Sequence, residues 1–308
     1  MRSEERGFAL VAVLLVLALL GIIGAEFAYS MRLEASAMRA WRDGIAAGHL
    51  AEAGVEQGIR EIAADYAFVA VGDGGLLTFY NKEGIPFPRL ARTNVSLGSG
   101  SFSYRITDEQ ARVNINVASA ERLDKVLQCL DINKSDRDQM ADSILDWIDT
   151  NEEHRANGAE SDDYYLKLPT PYRARNGPIE SINELLQIKG ITPAVFYGVD
   201  GKPGLGDVFT SRGGAQVNVN TAGPLAFCAL GVSDAEISNM SQGRVAGPYL
   251  VMPGSLGGRG FVLTTQTFRI EAEGLIDGRP RANVTTIVQK QRAAAGSPIV
   301  TLESSGIR

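Results

Sequence analysis

The apolar positions of this chain fall into distinct patterns along its length. Residues 8–25 contain no charged residue and are bounded by Arg6 and Glu26. As a helix this run spans roughly 27 Å, close to the thickness of about 30 Å of a bilayer's hydrocarbon core. Polar residues then return (Arg32, Glu34, Arg39, Arg42, Asp43), while apolar ones recur at steps of three and four: Met38, Trp41 and Ile45, then Val55, Ile59, Ile62 and Tyr66. No proline precedes Pro86, so the pattern predicts a single helix over 8–66, roughly 88 Å long. Its second half is amphipathic and should dock on a globular head. Gly44, Gly48, Gly54 and Gly58 weaken an exposed helix, and close packing against a sheet accounts for them.

Alternation replaces helical spacing further on. Residues 76–80 and 102–107 read as strands, the second with Phe102, Tyr104 and Ile106 on one face. Turn signals flank them at 72–75, 81–84 and 98–101. The signal returns at 261–276, turns at Asp277-Gly278 and runs back over 282–289. Between the two β-rich regions, 120–130, 135–150, 181–188 and 234–240 read as helices with capping residues ahead of them. The fold class is therefore α+β: a long N-terminal helix packed on a small antiparallel sheet, with a large inserted α-helical domain. The expected organisation is a leader over 1–7, the helix over 8–66, a β domain split between 67–116 and 247–291, the insert over 117–246, and a flexible tail over 292–308. An internal echo marks the insert. Ala111-Arg112-Val113-Asn114-Ile115-Asn116-Val117-Ala118 recurs as Ala215-Gln216-Val217-Asn218-Val219-Asn220-Thr221-Ala222, each followed by a helix carrying a cysteine. Short polar side chains there can close a turn and cap the next helix, so the repeat has a structural explanation.

Charge and composition narrow the function. A net charge of −6 and a pI near 5.2 argue against a general nucleic-acid binder. Cys129 and Cys228 are the only cysteines, and their spacing is compatible with a disulfide or with two buried thiols. His49 and His154 neighbour no cysteine, which argues against zinc, and no nucleophile motif supports an enzyme. The acidic loop after Trp147 is a candidate for Ca²⁺, with Asp149, Asn151, Glu160 and Asp162 as ligands; a solvated acidic loop fits the same spacing. Leu185-Leu186-Gln187-Ile188-Lys189-Gly190-Ile191 has the form of a helix-hairpin-helix turn. It could bind phosphate or serve as a packing corner; only Lys189 is basic, with Glu180 and Glu184 nearby.

A secretory signal places small residues after its apolar core. Here Gly7 precedes the core and Phe8 opens it. Cleavage between Gly7 and Phe8 would leave the apolar segment at the mature N-terminus, as in type IV pilin-like precursors. Together with that junction, Ser143-Ile144-Leu145-Asp146-Trp147-Ile148-Asp149, Gly158-Ala159-Glu160 with Tyr164-Tyr165, Pro171-Tyr172-Arg173-Ala174-Arg175-Asn176-Gly177-Pro178 and the twin Val-Asn-x-Asn segments resemble the minor pseudopilin K family of type II secretion systems. The resemblance covers nearly the whole chain. It implies a pilin-like head at the tip of a periplasmic pseudopilus with minor pseudopilins I and J, and a role in starting or limiting assembly. It further implies processing by prepilin peptidase, a methylated N-terminus, a single span of the bacterial inner membrane, and calcium in the insert. Ala12 stands where most pilin-like subunits carry Glu, which suits a subunit with no other ahead of it. A minor type IV pilin and a membrane-anchored DNA-uptake receptor are the alternatives.

Overall fold

The computed structural model describes residues 2–72, 75–291 and 299–307, with the side chains of 10–72, 75–291 and 299–306. Helix α1 (Arg2–Ile62) is continuous, as the spacing predicts, and ends four residues before Tyr66. The head follows with β1 (Phe68–Val71), β2 (Leu77–Tyr80), β3 (Val95–Leu97) and β4 (Gly100–Asp108). The insert holds β5 (Val113–Asn114), α2 (Ala120–Cys129), α3 (Lys134–Ile148), α4 (Pro193–Tyr197), α5 (Leu205–Val208), β6 (Phe209–Thr210), β7 (Val217–Asn218), α6 (Pro224–Ala229), α7 (Asp234–Val245) and β8 (Phe261–Val262). The chain returns to the head through β9 (Thr267–Ile276), β10 (Arg279–Lys290) and β11 (Ile299–Ile307).

An antiparallel sheet in the order β11-β10-β9-β4-β3 forms the head, and the second half of α1 lies across it. The approach is close because small residues face each other. A Cβ on Gly274 would sit 1.8 Å from the Ala47 carbonyl oxygen, so β9 must carry glycine there. Gly54 and Gly58 sit against Ala272 and Ile270, as expected of packing glycines; Gly44 lies ahead of the head with nothing within 4 Å. Tyr66, Phe79 and Phe268 close the far end of this core, with ring centroids 5.1–5.8 Å apart.

Other features differ from the sequence reading. The expected tail contains β11, which pairs antiparallel along β10 from Asn283↔Ile307 to Lys290↔Ile299. Its Ser-Ser-Gly stretch carries little strand preference of its own, and the long β10 supplies the ladder; residues 292–298 lie outside the described residues. Residues 261–276 divide into β8 and β9, because β8 pairs with β7 in the insert and β9 with the head. The insert's core takes in Val113, Ile115, Leu256 and Phe261, so it extends beyond 117–246 at both ends. Finally, the helix expected at 181–188 is a 3-10 helix, Ile182–Gln187.

The internal echo is a structural duplication. β5 pairs parallel with β6, and β7 pairs parallel with β8. Asn116 donates through Nδ2 to the Ile179 and Ser211 carbonyls and accepts from Ile179 N–H at 2.8 Å. Asn220 repeats the pattern on Tyr249 and Leu263, accepting from Tyr249 N–H at 2.7 Å. A disulfide joins Cys129 at the end of α2 to Cys228 in α6, tying the two copies together.

Two adjacent buried carboxylates attach the insert to the head at the end of β4. Asp108 accepts from Gln110 N–H (2.7 Å), Asn218 Nδ2 (2.8 Å) and the Thr221 hydroxyl (2.6 Å). Burial pushes its carboxyl upward against those hydrogen bonds. Glu109 accepts from Arg269 on β9 (2.5 Å), from Arg112 (2.9 Å) and from the Thr210 hydroxyl. Burial works against the Glu109 charge, but Arg269 and Arg112 outweigh it and hold the carboxyl below its usual range.

Within the head, Glu61 on α1 receives Arg92 through two hydrogen bonds (3.0 and 2.5 Å) and the Tyr104 hydroxyl at 2.5 Å. Arg92 also donates to the Leu77 carbonyl. All three side chains are buried, so removing one partner strands a charge. Arg92→Met should therefore lower the head's unfolding free energy by about 3–5 kcal/mol in denaturant titrations of the detergent-solubilised chain.

Candidate functional site

The acidic loop folds back on the C-terminal end of α3. Asn133 caps this helix by accepting from Asp136 N–H, and its core face carries Met140, Ile144 and Trp147. Trp147 packs edge-on against Tyr165 at 5.2 Å, which fixes the base of the loop. Asp146 lies on the same buried stretch and organises the return: it accepts from Arg155 N–H (3.1 Å), Arg155 Nη1 (2.6 Å) and Ala159 N–H (2.9 Å). Gly158 is required there, since a Cβ would lie 1.8 Å from an Asp146 oxygen. Lys189 holds the loop from the other side by donating to the Gly158 carbonyl at 2.8 Å and covering the Tyr164 ring at 5.1 Å.

The structure does not gather the four expected ligands into one cluster. Asp149 and Asn151 do meet: Asp149 Oδ1 accepts from Asn151 Nδ2 at 2.9 Å. Asp149 Oδ2 accepts from Arg155 Nη1 at 2.7 Å, and it shares that guanidinium with Asp146. Asp162 is exposed on the loop surface. Among the described residues no three His, Cys, Asp or Glu side chains converge as a metal cage.

Glu160 is different. It is 1 % exposed, its backbone N–H donates to Asp163, and neither carboxylate oxygen has a hydrogen-bond partner. The amide oxygen of Asn176 is likewise buried without a partner, and the Asn176 Nδ2 is tied to the Asn151 carbonyl at 3.0 Å. Orphaned buried acceptors are uncommon and point to an absent donor or ion. A hard cation suits carboxylate and amide oxygens, so the chemistry of Glu160 and Asn176 fits Ca²⁺. Asn176 lies 25 positions beyond Asn151, in the quoted Tyr-Arg-Ala-Arg-Asn-Gly-Pro segment.

The remaining expected sites divide as follows. The backbone of α1 runs through Gly7 and Phe8, and the Phe8 side chain falls outside the described ones. Cys129 and Cys228 are joined. At the hairpin turn, Lys189 is engaged with backbone carbonyls and Tyr164 inside the insert, and Gly190 takes a positive φ of 87°.

A long N-terminal helix that is a candidate membrane anchor by length and composition stands beside an antiparallel head and a helical insert, a pilin-like arrangement. Residues 96–199 match the family model of type II secretion system protein K, first domain. The chain is 28% identical over 213 residues to type II secretion system protein K of Pectobacterium carotovorum subsp. carotovorum, covering 62% of this chain and 60% of that protein. It is 25% identical over 209 residues to the putative type II secretion system protein K of Escherichia coli K12, covering 64% and 61%. The chain thus spans about three fifths of the length of the curated relatives it matches. The fold is similar to a chain in the GspK-GspI-GspJ complex of the enterotoxigenic Escherichia coli type 2 secretion system. The TM-score is 0.57 at 17% identity, over 71% of this chain and 84% of that one. The resemblance to type II secretion protein K is thus shown.

Burial, and then the carboxylates of Asp146, Glu152, Asp149 and Asp163, push Glu160 from 4.5 up to about 7. The folded chain therefore holds a proton that the unfolded chain releases, and this contribution is lost as pH rises through about 7. In chelator, the melting temperature should fall between about pH 5 and about pH 8, and Glu160→Gln should flatten that fall.

Proposed function

We propose that the chain is a minor pseudopilin that occupies the tip of a periplasmic pseudopilus with minor pseudopilins I and J and starts or limits its assembly. In this reading α1 anchors it in the inner membrane, the head lies on the periplasmic side, prepilin peptidase cleaves between Gly7 and Phe8, and the new amine is methylated. The role is structural and not catalytic. One observation carries the proposal: the insert is a fixed mass beside the head. Asp108 and Glu109 bind it through buried hydrogen bonds from both repeat segments and β9, and the disulfide holds its two halves together. Subunits added from the membrane side must stack their heads beneath those ahead, and a rigid insert suits a subunit with none above it. Deleting the whole insert, residues 113–262, should change the number or length of pseudopili while N-terminal sequencing still finds Phe8 first. Normal filaments, or a mature product beginning at Met1, would overturn the reading.

Calcium belongs to the same proposal. Glu160 and Asn176 would hold the ion, which would supply the charge that Glu160 lacks in the fold. Bound Ca²⁺ needs the ionised carboxylate, so its effect should grow with pH, opposite to the trend in chelator. At about one hundred times its Kd the ion should add about 2.7 kcal/mol of stability. Calorimetry should show this binding for the wild-type chain and lose it in Glu160→Gln; no heat with the wild type removes the site.

A further inference from the structure

Outside the membrane-length run, α1 carries a second apolar pattern that the head does not use. Phe27, Met31, Glu34, Met38, Trp41 and Ile45 follow steps of four, three, four, three and four. This is a seven-residue repeat, the period of helices that wind around another helix. Its five apolar members are all 44–67 % exposed. At about 100° per residue the seam lies roughly 150° around α1 from Ala47, Ala51, Gly54 and Gly58, the face that docks on the sheet. It therefore points away from this chain's own head. The flanking positions are small (Ala28, Ser30, Ala35, Ala37), which lets another helix approach. Arg42 is the exception, and it is paired with Asp43 at 3.1 Å. Arg32, Ser36, Arg39 and Asp43 lie on the outer side, although Tyr29 and Leu33 are also exposed off the seam.

Glu34 sits inside this seam, and no hydrogen bond or ion pair reaches it among the described residues. A single polar residue in an apolar seam selects register and partner. In a parallel pair of identical helices the two Glu34 carboxylates would face each other, so like charges disfavour a second copy. A lipid surface would not require the seven-residue period. We infer that residues 27–45 form a heterotypic helix-pairing seam, occupied by the parallel helix of a different membrane-anchored chain that presents Lys or Arg opposite Glu34. The inference rests on the proposed role as a pseudopilus subunit, and it adds which face pairs and what chemistry reads it.

The test uses the full chain in membranes with its cognate minor pseudopilins I and J. A photo-crosslinking benzophenone side chain replaces Met31, Met38 or, on the outer face, Ser36. The seam positions should give adducts with a different membrane-anchored chain at about tenfold the yield at Ser36, and Glu34→Lys should cut that yield about tenfold. Reversing the partner's basic residue, located by mass spectrometry of the adduct, should restore it. Equal yields around the helix, adducts only with lipid or a second copy, or no response to Glu34→Lys would overturn the inference. Co-purification of I and J separates the two levels. If they still accompany the chain while the seam gives no adduct, only the seam is wrong; if neither accompanies it, the pseudopilus role fails too.

Discussion

The attachment of the insert at the end of β4 is the constraint on which the rest of this structure depends. Two consecutive acidic residues are buried there in opposite ways. Glu109 stays charged because Arg269 comes from the head and Arg112 from the insert, so a single carboxylate belongs to both. Asp108 has no cation among its hydrogen-bond partners; it is held by Asn218, Thr221 and the Gln110 backbone. Stranding a buried charge of this kind is costly, which makes the junction stiff against hinge motion. The insert's position relative to the shaft is then set by chemistry and not by a linker.

The same logic runs through the head. A long helix can lie flat on a sheet only where side chains are small, and Gly274, Gly54 and Gly58 provide that closeness on both surfaces. The Glu61–Arg92–Tyr104 cluster fixes the helix along its length. What remains of α1 is bare, with apolar side chains from Leu10 to Ile45 directed outward. Contiguous apolar exposure of this extent is unusual for a soluble chain.

The acidic loop shows how the same residue types acquire different roles. Asp146, Asp149 and Glu160 are near one another in a single loop system, yet the first two share the Arg155 guanidinium and the third has no hydrogen-bond partner for its carboxylate. The loop is a tightly bonded structure around Asp146, with Gly158 present because an Asp146 oxygen occupies the space of its side chain. Glu160 is the member that burial and its carboxylate neighbours push up to about 7.

What the sequence by itself determined was whatever depends on local periodicity. The uncharged run and its helical continuation predicted α1, alternation predicted β4, β9 and β10, and Asp277-Gly278 predicted their hairpin, with positive φ at both residues. The twin Val-Asn-x-Asn segments exposed the duplication because each Asn bonds its own surroundings in the same manner. Tertiary structure alone decided what depends on distant partners. Strand β11 exists because β10 offers it a ladder, and the insert reaches to Phe261 because β7 pairs with β8. Cys129 meets Cys228 across a separation of 99 positions, and Arg155, six positions on, pairs with Asp149. Period can be read along a chain, but a charge's counterion is chosen by which side chains folding brings within reach.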